Sequence, residues 1–161
     1  MFPKPSQILK AKSRGQKRQQ LKYKGWTFKS VKERLERECE DLWRELIHWL
    51  SVHLPSGRRH CCEVCGALKI LQSHHIFTRA NRAMKFHPWN GIRLCKGHHL
   101  WAHQRPEEFR DWLIAKKGQS WFDRLKLMAH TACGKVDLAA TKIILTKDVE
   151  NAKRDFTHIV N

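Results

Sequence analysis

The residues able to do chemistry gather between Cys61 and His103, in the runs CCEVCG, SHHIF and WNGIRLCKGHHLWAH. Cys61, Cys62, Cys65 and Cys95, of six cysteines in all, fall there beside more than half of the eleven histidines. Imidazoles and thiolates cluster mainly to hold metal. The spacing suggests two ions with different roles, one holding the fold and one doing chemistry.

Cys62-Glu-Val-Cys65-Gly66 has a zinc-knuckle pattern: two thiolates two residues apart reach one tetrahedral ion, and the glycine lets backbone amides turn toward sulfur. Cys95 and His98 repeat the spacing and complete a closed four-ligand set, with Cys61 as the rival to Cys62. Such an ion contributes roughly 10–16 kcal/mol of apparent binding free energy to folding. This is comparable to the whole stability of an ordinary domain, ~5–15 kcal/mol.

Outside that set stand His74, His75, Asn90, His99 and His103. His98 and His99 project about 100° apart on a helix and can serve different ions. His99 and His103 lie one turn apart on the same face, so His103 can touch either a metal or a phosphate. His74 and His75 face opposite ways in a regular strand, and share a site only at a strand end or bend.

The His-His pair, Asn90, and the LC-x-x-(C/H)-H segment resemble the HNH endonuclease family, in detail over about residues 60–105. More loosely, PEEFRDWL and WFDRLKLMAHT are similar to the tails of small phage-type HNH proteins. The resemblance implies a ββα-metal (His-Me finger) core, two antiparallel strands and a helix around one divalent ion. It implies His75 as general base, His74 and His99 as ligands of the catalytic ion, and Asn90 as the brace of the loop. The implied reaction is phosphodiester hydrolysis giving 5′-phosphate and 3′-hydroxyl ends. His98 stands where the family more often has cysteine, which makes the zinc site more acid-labile. His74 stands where Asp is common, so Mn2+, Ni2+ or Zn2+ competes with Mg2+ as the catalytic cation. A histidine base acts only when neutral, which suggests activity rising between about pH 6 and 8.

Charge agrees with a nucleic-acid partner. Lys and Arg number 32 against 15 Asp and Glu, a formal net charge of +17, and a polyanion is the usual reason to keep such an excess. DNA is expected before RNA. Arg79, Arg82, Lys85 and Arg93, lying between the catalytic pieces, are the candidate phosphate contacts. No run approaches the ~20 apolar residues of a membrane span, and the N-terminus lacks the apolar middle of a secretion signal. The cysteines therefore read as reduced thiols or ligands in a cytoplasm, a host's if the chain is phage-encoded. A homodimer or a phage protein is a possible further partner.

The elements that must position these residues give an α+β class, mostly helical, with a zinc knuckle in the ββα-metal core and helices on either side. Residues 1–28 read as a basic flexible arm, 29–57 as an N-terminal helix, 58–105 as the HNH core and 106–161 as a C-terminal helical extension. The first helix has a Ser30/Glu33 capping box and an apolar stripe at Val31, Leu35, Cys39, Leu42, Leu46, Trp49 and Leu50. It is expected to end at Pro55-Ser56-Gly57. Pro106 starts a helix that Gly118 stops. Ser120 and Asp123 suggest a further cap, Cys133 and Gly134 a stop, and Asp137 the start of a last helix in which IILT could instead be a strand. The alternative to a nuclease is a non-catalytic, zinc-dependent nucleic-acid-binding module, which needs the thiolates but not His75 or Asn90.

Overall fold

The computed structural model describes residues 21–51, 61–131 apart from Lys69, and 135–160. The chain is α+β and mostly helical. It divides into two compact units, residues 1–34 and 35–161. No helix among the described residues is long and apolar enough to cross a membrane.

In the first unit β1 (Leu21–Tyr23) and β2 (Trp26–Phe28) form an antiparallel hairpin. This corrects the reading of 1–28 as a flexible arm for its last eight residues; residues 1–20 lie outside the described residues. Lys24 and Gly25 both have positive φ, 45° and 80°, the pair of conformations a tight two-residue hairpin turn requires. Helix α1 (Val31–Leu50) then begins. The Ser30 hydroxyl accepts the Glu33 N–H at 3.1 Å. The Glu33 carboxylate reaches back to the Lys29 N–H at 2.9 Å, a capping box displaced by one residue.

In the second unit, α1 buries Cys39, Trp43, Leu46 and Ile47. Leu50 is exposed and Leu35, Leu42 and Trp49 are only half-buried. The inward stripe is therefore rotated from the expected one, because Trp43 and Ile47 take its centre. Helix α1 ends at Leu50, and Pro55-Ser56-Gly57 lie outside the described residues. Its partner is α5 (Leu138–Val160), which supplies Leu145, Val149 and Ala152 to one core, with Phe86. Burying Leu145, Val149 and Phe86 contributes ~1.5–3 kcal/mol each, and the small Ala152 less. Lys142 adds an ion pair to Glu38 at 2.7 Å. The IILT stretch is helical, and Asp137 caps α5 by accepting the N–H groups of Ala139 and Ala140.

Strands β3 (Leu71–His75) and β4 (Gly91–Cys95) pair antiparallel, from Leu71 opposite Cys95 to His75 opposite Gly91. Helix α2 (Lys96–Gln104) follows β4 directly, with Cys95 at its N-cap. Because strand residues alternate, the hairpin serves two cores. Ile92 and Leu94 pack with Ala102 of α2 and with Phe109 and Leu113 of α3 (Pro106–Lys117). Gly91 points the other way, under α1. A Cβ there would lie 2.3 Å from Ile47 Cδ1 and 2.9 Å from Trp43 Cζ2, so only glycine lets the helix sit so close.

Gly118, at φ 92°, stops α3. Helix α4 (Gln119–Thr131) starts at Gln119, whose side-chain amide donates to Asp123, and not behind a Ser120 cap. Cys133 and Gly134 lie outside the described residues.

Candidate metal centre and catalytic site

The Cys62–Gly66 turn closes through the Gly66 N–H to the Cys62 carbonyl at 2.7 Å, with Gly66 at φ 68°. The Glu63 N–H bonds the Arg93 carbonyl at 3.0 Å, seating the turn on β4. Cys62, Cys65, Cys95 and His98 then bring their ligand atoms within 4.8 Å of one another. Cys62 Sγ lies 3.6 Å and Cys95 Sγ 3.3 Å from His98 Nδ1. These four residues could hold a metal ion such as zinc. The His98 N–H at the start of α2 faces the Cys95 sulfur and lowers that thiol to about 6, whereas burial raises Cys62. A thiolate at a helix N-terminus is ready to bind metal at neutral pH. Cys61 is buried outside this group. Cys39 is fully buried in the α1–α5 core, donates to the Leu138 carbonyl at 3.5 Å, and is raised by burial to about 11.

A second group forms one residue further along α2. His99 and His103 stand a turn apart, and His74, from the end of β3, completes a trio whose ligand nitrogens also lie within 4.8 Å. The rings meet edge to face, His74 to His99 at 5.0 Å, His74 to His103 at 4.7 Å and His99 to His103 at 4.8 Å between centroids. His103, which the spacing leaves open between metal and phosphate, stands inside the trio. His74 is only 5 % exposed and its Nδ1 has no hydrogen-bond partner among the described residues. A buried ring nitrogen left unpaired costs free energy, and a cation bound among three imidazoles would satisfy it. Burial, then the neighbouring His103, His99 and His75, lowers His74 to about 3. Burial and then His103 and Arg79 lower His99. Both rings keep their lone pairs at neutral pH.

His75, the next residue of β3, turns to the other side of the hairpin. Its ring stacks on Trp43 of α1 at 3.8 Å between centroids and 10° between planes. Its Nε2 lies 2.9 Å from the Lys85 carbonyl. A carbonyl only accepts, so Nε2 carries the proton and Nδ1 the lone pair. Burial, outweighing that hydrogen bond, lowers His75 to about 4. His74, His75, His99 and His103 nevertheless line one cavity of about 380 Å³, because His75 is the last residue of its strand.

Asn90 is wholly buried and ties the intervening loop. Its Oδ1 accepts the Phe77 N–H at 2.6 Å, and its Nδ2 donates to the carbonyls of Phe77 at 3.0 Å and Met84 at 2.9 Å. His87 is structural as well, since its Nδ1 accepts the Trp89 N–H at 3.1 Å and caps the short 3₁₀ turn Pro88–Asn90.

The four basic residues separate. Arg79 is exposed at the cavity rim and Arg82 is exposed on the loop. Lys85 is not available to phosphate: it is buried, with its ammonium 2.7 Å from Glu36 and 2.9 Å from Glu40. Arg93 is half-buried on β4 and donates to Ser73 Oγ across the hairpin at 3.2 Å, so it braces the strands. Three residues at the site carry no spacing signal. Trp43 reads in the sequence as one more helix residue, Gly91 as one more glycine, and Arg110 of α3, exposed at the same cavity, as a surface charge. No protein-family model, curated protein or solved structure matches the chain.

Proposed function

We propose that the chain is a metal-dependent endonuclease of the HNH type that hydrolyses DNA phosphodiester bonds. The observation that carries this reading is one cavity shared by the His74–His99–His103 trio and His75. The trio is a ligand set, and His75 is a histidine held on a carbonyl with a free lone pair. On this reading β3, β4 and α2 are the ββα-metal core, and the Cys62–Cys65–Cys95–His98 group is its structural zinc site.

His74, His99 and His103 would hold the catalytic divalent cation, which supplies charge compensation on the non-bridging and leaving oxygens of the phosphodiester. Three imidazoles bring no negative charge, so they leave the ion's full charge for the phosphate and favour nitrogen-loving ions over Mg2+. His75 Nδ1 takes the proton of a water molecule. The water oxygen bonds to phosphorus, the bond to the 3′-oxygen breaks, and that oxygen takes a proton from solvent, leaving 5′-phosphate and 3′-hydroxyl ends. Asn90 keeps the loop that carries the Lys85 carbonyl in register with His75. Arg79, exposed at the cavity rim, would hold a flanking phosphate. The excess positive charge supplies affinity without sequence choice.

The test is the relaxation of supercoiled plasmid by the purified full chain with Mn2+, Ni2+, Zn2+ or Mg2+, and its arrest by EDTA. Tight, salt-sensitive DNA binding with no cleavage under any of these ions would instead establish the non-catalytic zinc module.

A further inference from the structure

Helix α1 lies outside the strands and helix that carry the candidate metal ligands, yet one of its faces touches both the His75 ring and the residue whose carbonyl that ring bonds. Glu36, Glu40, Trp43 and Ile47 recur at helical spacing. Glu36 and Glu40 clasp the Lys85 ammonium at 2.7 and 2.9 Å, fixing the residue whose carbonyl receives His75 Nε2. Trp43 covers the flat face of the His75 ring at 3.8 Å, nearly parallel. The indole is itself fixed, since it is buried and its Nε1 donates to the His87 carbonyl at 3.1 Å. Gly91, opposite His75 in the strand register, leaves the space that Trp43 and Ile47 fill.

An imidazole carries two soft torsions, and one hydrogen bond at Nε2 leaves the ring free to swing about that contact. A flat plate against its face removes this freedom. We propose that α1 is the positioning element of the general base, with Trp43 setting the plane of the His75 ring and thereby the direction of its Nδ1. The proposal rests on the nuclease reading for its catalytic consequence. Trp43 touches neither substrate nor metal ligand in this role; it acts through His75.

Loss of the plate should reduce turnover while leaving DNA affinity intact, because the phosphate contacts are elsewhere. A small misplacement of a reacting group can cost about 100-fold in rate. In the full-length protein, Trp43→Leu is expected to lower kcat by roughly 10- to 100-fold with KM unchanged within about twofold. Trp43→Phe, which restores a smaller plate, should recover most of the loss. Nitrogen-15 spectra of the histidine rings give a readout independent of cleavage. The His75 ring protons should be shifted upfield by the indole in the wild type and in Trp43→Phe less so, and should lose that shift in Trp43→Leu. If Trp43→Leu does not fold, the comparison of Trp43→Phe with wild type carries the test, with a smaller upfield shift and a modest fall in kcat expected. Unchanged kcat in a folded variant whose His75 shift has moved overturns the proposal and leaves the nuclease reading intact. A wild type that never cuts overturns the nuclease reading, and with it the catalytic role of Trp43, even if the stacking signal is present.

Discussion

His98 and His99 are consecutive in α2 but stand in different ligand groups, His98 with Cys62, Cys65 and Cys95, His99 with His74 and His103. The 100° step between neighbouring helical residues is enough to separate them. A single helix turn therefore links a group of four possible metal ligands to a group of three that lines a cavity. The two groups need not respond alike to substitution.

Replacing Cys95 with Ser should remove the closed site and with it a large share of the folding free energy, roughly 10 kcal/mol for a structural zinc. The chain should lose its cooperative melting transition. His99→Ala and His103→Ala should melt within a few degrees of wild type yet bind one ion fewer. Metal content by atomic emission, together with thermal melting, checks this. A Cys95→Ser protein that melts like wild type would remove the structural role from the thiolate group.

Lys85 illustrates how tertiary context overrides a sequence reading. Its ion pairs with Glu36 and Glu40 raise it above the usual lysine range, against the opposing effect of burial. Against burial, Lys85, with Arg44 and then Arg79, holds Glu40 low. Lys85→Met should leave two carboxylates facing each other at a partly closed site and cost about 3 kcal/mol in urea unfolding. The salt dependence of DNA binding should not change. Arg79→Ala should do the reverse, preserving stability and reducing the slope of log K against log salt by about one. Equal effects of the two on binding would contradict this division.

With the thiolate group loaded and the histidine trio free of metal, acid should weaken the fold through His74, which is buried, and His75, which is half-buried. His74 and His75 titrate near 3 and 4 when folded but near ~6.5 in an unfolded chain. A folded value below the unfolded one means the unfolded state binds more protons in between. The stabilisation is complete above about pH 6.5 and is lost progressively as pH falls toward 4 and then 3. Urea midpoints should decline from pH 7 to 5, and less steeply in His75→Gln. The same depression revises the expected rise of activity between about pH 6 and 8, because a base with a value near 4 is already neutral there. The acid limb attributable to His75 should lie below pH 5.

What is legible in the sequence depends on local spacing. The capping pattern at Ser30 and Glu33, Pro106 and Gly118 at the ends of α3, and the cysteine and histidine intervals all act over a few residues. What stays hidden depends on contacts far apart in the chain. Trp43 and His75 stack across 32 positions, Lys85 finds its carboxylates on α1, and Gly91 is needed only because Ile47 lies above it. The Lys24–Gly25 turn is hidden for another reason: the basic composition of that segment obscures a two-residue hairpin signal.

Gly91→Ala separates packing from chemistry. Its new methyl would meet Ile47 and Trp43 well inside contact distance, and overpacking of this kind costs ~1–3 kcal/mol. Urea unfolding measures it, and a neutral result would mean that α1 can move away from the hairpin freely.

On the nuclease reading, His75 supplies the base for cleavage while the trio beside it holds the ion. The decisive measurement is plasmid nicking with His75→Ala protein shown by metal analysis and melting to be loaded and folded like wild type. Wild type is expected to nick in the presence of a divalent ion, and the variant to retain its metal but lose cleavage by at least ~100-fold. A variant that binds metal normally and cuts at the wild-type rate would contradict the assignment of His75 as the base.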